Sequence, residues 1–182
     1  MQHTKISVQD ICSIAIMTAV TGVMAQISIP MPLGVPMTMQ TFAVTLAGII
    51  LGSKRGALSM IIYVLLGAVG VPVFANFNGG FQNLVGATGG FLLSFPLMAY
   101  LIGLGMEYRK KRGMFVLLLT LGTLSNYIVG VLFFCVVMQS SIWTGISVCV
   151  LPFIPTALVK AILASVLGLK IQGRLNVAFQ SS

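Results

Sequence analysis

The chain has 182 residues, 58% of them hydrophobic and only 7% charged, with a mean hydropathy of +1.07. A soluble domain carries charges at about a quarter of its positions, so the composition excludes an ordinary soluble enzyme. The apolar content equally excludes a disordered chain. The formal net charge of +8 does not indicate a nucleic-acid partner, because the basic residues stand at the ends of apolar stretches, where membrane topology requires them.

A membrane-spanning helix takes roughly 20 apolar residues, which leaves room for about six and for no separate soluble domain. The expected fold is therefore all-α: one polytopic membrane domain over residues 1–182 with six transmembrane helices. Long continuous apolar runs favour helices over a barrel, whose strands read as alternating segments of about ten residues. The first expected helix follows Lys5 and Asp10, runs from Ile11 to Ile29 and ends at Pro30, Pro32 and Pro36. The second covers Met37 to Gly52 and stops at Lys54 and Arg55; the third covers Gly56 to Val71, before Pro72. A Gly- and Asn-containing stretch, Asn76 to Gly90, leads into the fourth, Gly89 to Met106, which the run Glu107 to Arg112 closes. The fifth covers Met114 to Met138. A polar patch, Gln139 to Thr144, then passes through an apolar stretch to Pro152 and Pro155, and the sixth ends near Lys170. The second stretch is short and residues 139–155 have room for a partial or re-entrant helix, so five or seven passes are alternatives.

Nine of the ten basic residues fall on one side of this arrangement: Lys5, Lys54, Arg55, the four of 109–112, Lys170 and Arg174. The opposite connections, 30–40, 72–88 and 139–151, carry no charged residue. Positive charge marks the cytoplasmic side, so a multi-pass protein of the plasma membrane with both termini cytoplasmic is expected. The first stretch, beside the acidic Asp10, reads as a retained helix rather than a cleaved leader. Cys12, Cys135 and Cys149 have no paired spacing, and the single histidine, His3, lies in the N-terminal tail. No metal site, cofactor or Cys/His dyad is expected. No Walker A, GxGxxG or HExxH pattern occurs, so if the chain serves active transport, its energy has to come from a partner or an ion gradient.

The uncharged outer connections carry the candidate site. The first, Pro30 to Thr41, combines three prolines with the hydrogen-bonding groups of Gln40 and Thr41; the second, Pro72 to Asn83, interleaves Phe74, Phe77 and Phe81 with Asn76, Asn78 and Asn83. Rings alternating with neutral amides suit a small ligand with an apolar body and a few polar atoms; the alternative is a loop whose Phe side chains rest among lipid headgroups. Lys160, the tenth basic residue, falls inside the last helix, where an ammonium costs about 2.5–3.5 kcal/mol on insertion scales. Asp10 and Glu107 map to the opposite end and cannot neutralise it. Either Lys160 snorkels to the outer interface, or its acceptor arrives with the ligand as a carboxylate or polar carbonyl, with no resident partner. Ala15 and Ala19, four apart on the first helix with Thr18 and Gly22 nearby, permit close approach of another helix.

Taken in order, Val35-Pro36-Met37-Thr38-Met39-Gln40-Thr41, Leu46-Ala47-Gly48, Gly70-Val71-Pro72-Val73-Phe74-Ala75, Thr88-Gly89-Gly90-Phe91-Leu92 and Pro152-Phe153-Ile154-Pro155 with Lys160 resemble the BioY family, the biotin-specific S components of energy-coupling-factor (ECF) transporters. The resemblance spans about Ile14 to Leu167. It implies a six-helix S-component fold that binds biotin under its first and third loops. It also implies association with a transmembrane coupling protein and two cytoplasmic ATPases, with no enzymatic activity in this chain and no cofactor. By the same resemblance Gln40, Thr41, Asn76 and Lys160 are polar candidates for biotin's ureido group or carboxylate, Phe74, Phe77 and Phe91 flank its rings or chain, and Ala15 and Ala19 meet the coupling protein. The chain departs from the family where a Gly-Asp pair is usual, having Thr156-Ala157, and where Pro-Thr-Gly-Gly-Tyr is common, having Ala87-Thr88-Gly89-Gly90-Phe91. Neighbouring amides, Asn76, Asn78 and Asn126, are placed to compensate. Other readings are a different small carboxylated vitamin or a biotin precursor as ligand, a solitary biotin transporter, and a membrane-embedded enzyme using Lys160 as base or Schiff-base nucleophile.

Overall fold

The computed structural model describes residues 7–31 and 34–180; His3, Lys5, Pro32 and Leu33 lie outside the described residues. Helix α1, Val8–Gln26, opens on a capping box in which Ser7 and Asp10 exchange side-chain and backbone hydrogen bonds, so the sequence marks its start. A two-residue strand, β1 (Ser28–Ile29), pairs antiparallel with β2 (Met37–Thr38), Ser28 opposite Thr38. This ribbon was not expected from the proline-rich connection. It satisfies backbone groups that would otherwise go unpaired at membrane depth.

Helix α2, Gln40–Ala68, is interrupted at Gly52, whose φ of 78° and ψ of −174° lie outside the helical range. The two arms, 40–51 and 53–68, run antiparallel. Gln40 hydrogen-bonds Tyr63 at the open end, and near the turn Gly56 lies against Ala47 and Gly48. These arms are the expected second and third helices, turned at Gly52 just before Lys54 and Arg55. At 1.5 Å per residue the first arm is about 18 Å long, short of the roughly 30 Å hydrocarbon thickness.

A 3-10 turn at Ala75–Phe77 and the short helix α3, Gln82–Val85, fill the second outer connection. Helices α4 (Gly89–Glu107) and α5 (Met114–Val137) fall where the apolar runs place them. The region with room for a partial helix forms α6, Ile142–Cys149, followed by a 3-10 turn at Leu151–Phe153. Helix α7, Ile154–Gln180, continues ten residues past the expected end at Lys170. Its Pro155 sits in the first turn, where a missing N–H removes no intrahelical bond. Five of these helical segments are long and apolar enough to cross a membrane, and the fold at Gly52 makes six passes of them.

The α2 hairpin is the centre, packed against α1, α4 and α7, while α5 packs on α4. Tyr63, Met60 and Ile49 of α2 and Phe95, Met98 and Ile102 of α4 are fully buried in one core cluster. Large apolar side chains that are exposed, such as Leu117, Leu121, Leu124 and Ile128 of α5 and Leu158, Ile162 and Val166 of α7, form the lipid-facing stripes of a membrane bundle. At one end Arg55 pairs with Asp10 at 3.0 Å, and Glu107 accepts from the backbone N–H of Ser53 at 3.0 Å and its hydroxyl at 2.6 Å. Both acidic side chains thus brace the α2 turn at the basic end, far in sequence and space from Lys160.

Gly103 of α4 lies against the backbone of Gly52 and Ser53, where an added Cβ has no room. Gly103→Ala is therefore expected to cost about 1–3 kcal/mol through overpacking of the α2 turn, measured as earlier thermal unfolding of the purified protein.

Candidate functional site

At the uncharged end a cavity of about 150 Å³ is lined by five parts of the chain. This is room for part or all of a small molecule and not for a peptide. The first outer connection and the start of α2 contribute Val35, Thr38, Gln40 and Thr41. The second outer connection contributes Phe74, Asn76, Asn78 and Asn83. Phe91 and Phe95 come from α4, Asn126 and Tyr127 from α5, and Phe153 and Lys160 from the last connection and α7.

Lys160 reaches across from α7 to the first outer connection, where its Nζ donates to the Thr38 carbonyl at 2.8 Å. The expectation that it has no resident partner is thus corrected: it has a neutral acceptor, supplied by backbone that the ribbon holds in place. It is the only Lys, Arg, Asp or Glu among the described residues lining the cavity, and an ammonium has three donors, so one hydrogen bond to Thr38 leaves capacity for an incoming acceptor.

From Thr38 the polar contacts continue inward. The Thr38 hydroxyl donates to Gln40 Oε1 at 2.8 Å, Gln40 Nε2 donates to the Tyr63 hydroxyl at 2.6 Å, and Tyr63 in turn donates to the Val73 carbonyl at 2.8 Å. Gln40 and Tyr63 are both buried, which makes each of these bonds expensive to leave unmade. This chain joins the first outer connection, both arms of α2 and the second outer connection. Tyr63 was not singled out from sequence, since nothing local distinguishes a tyrosine in an apolar run; its role follows from the hairpin register that sets it opposite Gln40.

The second outer connection folds back on itself through an isolated bridge between Phe74 and Asn78. Phe74 is 2% exposed, its ring seated on Gly67, where any side chain would collide with it, and edge-on to Tyr63 with centroids 5.7 Å apart. Asn76 takes a left-handed conformation, with its Oδ1 accepting from Ser28 at 2.7 Å. Phe91 packs edge-on against Tyr127, centroids 6.5 Å apart, and Asn126 donates to the Phe91 carbonyl and to Ser94. Tyr127 therefore brings a phenol ring to the wall beside Phe91, a contact between α4 and α5 that sequence spacing could not reveal.

Of the residues expected from sequence, Gln40, Thr41, Phe74, Asn76, Phe91 and Lys160 are brought together around the cavity. Phe77 is not: it is 73% exposed and lines a separate groove. The reason is the pair of left-handed residues Asn76 and Phe77, which turns the two consecutive side chains to opposite sides of the loop. Ala15 and Ala19 are exposed on α1 and line that same groove, of about 600 Å³, between α1 and the second arm of α2. Thr18, buried in the same groove, donates its hydroxyl to Ser59 O at 3.0 Å.

Comparison with known proteins places this geometry. The family model for the BioY family matches residues 1–177. The chain is 39% identical over 167 residues to the probable biotin transporter BioY of Pyrococcus horikoshii, covering 91% of this chain and 97% of that protein. It is 42% identical over 157 residues to the biotin transporter BioY of Thermotoga maritima, covering 86% and 92%. The fold matches the crystal structure of the S-component for biotin from an ECF-type ABC transporter with a TM-score of 0.82 and 28% identity, covering 91% of this chain and 92% of that one. By fold and by sequence, this chain belongs to the BioY family.

Proposed function

We propose that this chain is the substrate-binding membrane subunit for uptake of biotin, energised by an ATPase module of the ECF type. The observation that carries the reading is Lys160, the one Lys, Arg, Asp or Glu among the described residues of a cavity whose other lining is neutral: rings, amides, hydroxyls and aliphatic side chains. Such a site suits a ligand with a single negative charge, a compact apolar body and a neutral polar group. Biotin has these parts: a carboxylate, a fused bicycle with an aliphatic chain, and a ureido group. The names of the relatives above support the same ligand.

Lys160 then takes the carboxylate while keeping its bond to Thr38. Gln40, Thr41 and Asn76 face the ureido group, and Phe74 and Phe91 flank the rings and chain; Phe77 has no part in this contact. The basic end faces the cytoplasm with both termini, by the usual bias of positive charge, and the cavity opens outward at the plasma membrane. The groove at Ala15 and Ala19 receives a transmembrane coupling protein, which links the subunit to two cytoplasmic ATPases. The absence of an acidic acceptor among the described residues of the cavity wall favours, as a second reading, a related carboxylated vitamin or biotin precursor that makes less demand for acceptors.

Titration of the purified protein with biotin, desthiobiotin and lipoate separates these readings. Biotin is expected to bind well below millimolar concentrations and more tightly than the other two; millimolar biotin binding overturns the proposal, and a preference for either competitor selects the second reading. Lys160→Met is expected to raise the Kd for biotin about ten- to a hundredfold, the worth of a hydrogen bond to a charged group, and to lower the melting temperature of the ligand-free protein far less, because loss of the Thr38 bond is offset by no longer burying an ammonium. Equal losses with and without ligand assign the lysine to folding instead. Ala15→Trp or Ala19→Trp is expected to abolish uptake in cells supplying the ATPase module while biotin binding persists; normal uptake by both variants places the partner contact elsewhere.

A further inference from the structure

The second outer connection is a wall shared by the cavity and the groove. Phe74 and Asn76 line the cavity, while Val73 and Phe77 line the groove. Between them the backbone holds two consecutive non-glycine residues in the left-handed region, Asn76 at φ 58° and Phe77 at φ 56°. An aromatic residue in that region is an outlier, and it persists only where surrounding contacts over-determine it.

Beside the Phe74–Asn78 bridge and the bond from Ser28 to Asn76, the contacts that do so come from the last residue of α1. Gln26 Nε2 donates to the Phe74 carbonyl at 3.1 Å and to Gly22 O at 3.0 Å, while its Oε1 accepts from the backbone N–H of Phe77 at 2.8 Å. One amide thus clamps the backbone on both sides of Asn76. Gln26 itself lines the groove and not the cavity. Its side chain meets the cavity wall through the backbone of Phe74.

We propose that Gln26 is a positioning residue that holds the second outer connection in its ligand-ready shape from the groove side, so that the occupants of cavity and groove sense one another through this loop. A ligand that touches Phe74 and Asn76 acts on the same backbone that sets Val73 and Phe77 on the groove wall, and by linkage a partner seated there changes ligand binding by the same factor as the ligand changes the partner's. The inference rests on the biotin reading for its affinity measurement, and on the loop alone for its second measurement.

The test uses the full chain in detergent or nanodiscs. Gln26→Leu keeps the side-chain bulk and removes both hydrogen bonds to the loop. It is expected to weaken biotin binding about tenfold, the combined worth of two such bonds, although it touches no cavity residue's side chain. Amide exchange at 74–78 is expected to accelerate in the same variant while exchange in α4 stays unchanged. Adding Phe77→Gly, which makes the left-handed conformation accessible at no steric cost, is expected to return affinity to within about threefold of the parent. Unchanged affinity and unchanged exchange in Gln26→Leu overturn the proposal, as does a loss of protection spread over α4, or a failure of the glycine to restore binding. If the parent chain does not bind biotin, the function proposed above falls, and the exchange at 74–78 still decides whether Gln26 holds the loop.

Discussion

Lys160 donating to the Thr38 carbonyl is the interaction on which the uncharged end of this molecule depends. A cation inside the last transmembrane helix has to be satisfied, and the two carboxylates of the chain are engaged at the other end by Arg55 and Ser53. A backbone carbonyl meets the need without neutralising the charge. The site therefore stays electropositive while the empty protein remains stable, which is the condition for recognising an anionic ligand from within a membrane.

That arrangement requires the first outer connection to be held firmly, because a carbonyl on a loose loop cannot hold an ammonium. The ribbon pairing Ser28 with Thr38 holds it from one side, and the hydrogen-bonded chain through Gln40 and Tyr63 to Val73 holds it from the other. The first and second outer connections are thereby tied to the α2 hairpin at the centre of the bundle. The cavity wall inherits rigidity from that core. The exposed apolar residues of α5 and α7, facing lipid, contribute insertion into the membrane and little to the shape of the site.

Close backbone approach is what makes the packing possible. Gly103 admits the α2 turn and Gly67 admits the Phe74 ring. In hydrocarbon, where helix association gains little from the hydrophobic effect, such contacts together with buried hydrogen bonds supply the association energy. The same logic applies to Thr18, whose hydroxyl joins α1 to the second arm of α2, leaving Ala15 and Ala19 on the outer side of the helix.

Sequence by itself determined the solvent, the helical class, the positions of α4 and α5 and the isolation of Lys160 from any carboxylate, because hydropathy and charge placement are local properties that the bilayer reads directly. It also exposed the neutral character of the outer connections and the small residues of α1. What it could not show depends on contacts between distant segments: the ribbon, the Thr38 acceptor for Lys160, Tyr63 as the link between the outer connections, and Tyr127 beside Phe91. Phe77 is the clearest instance. Its alternation with Asn76 reads as one binding strip, yet its ring lies in the groove, on a loop of left-handed residues held by contacts that include Gln26, 51 residues away in the chain.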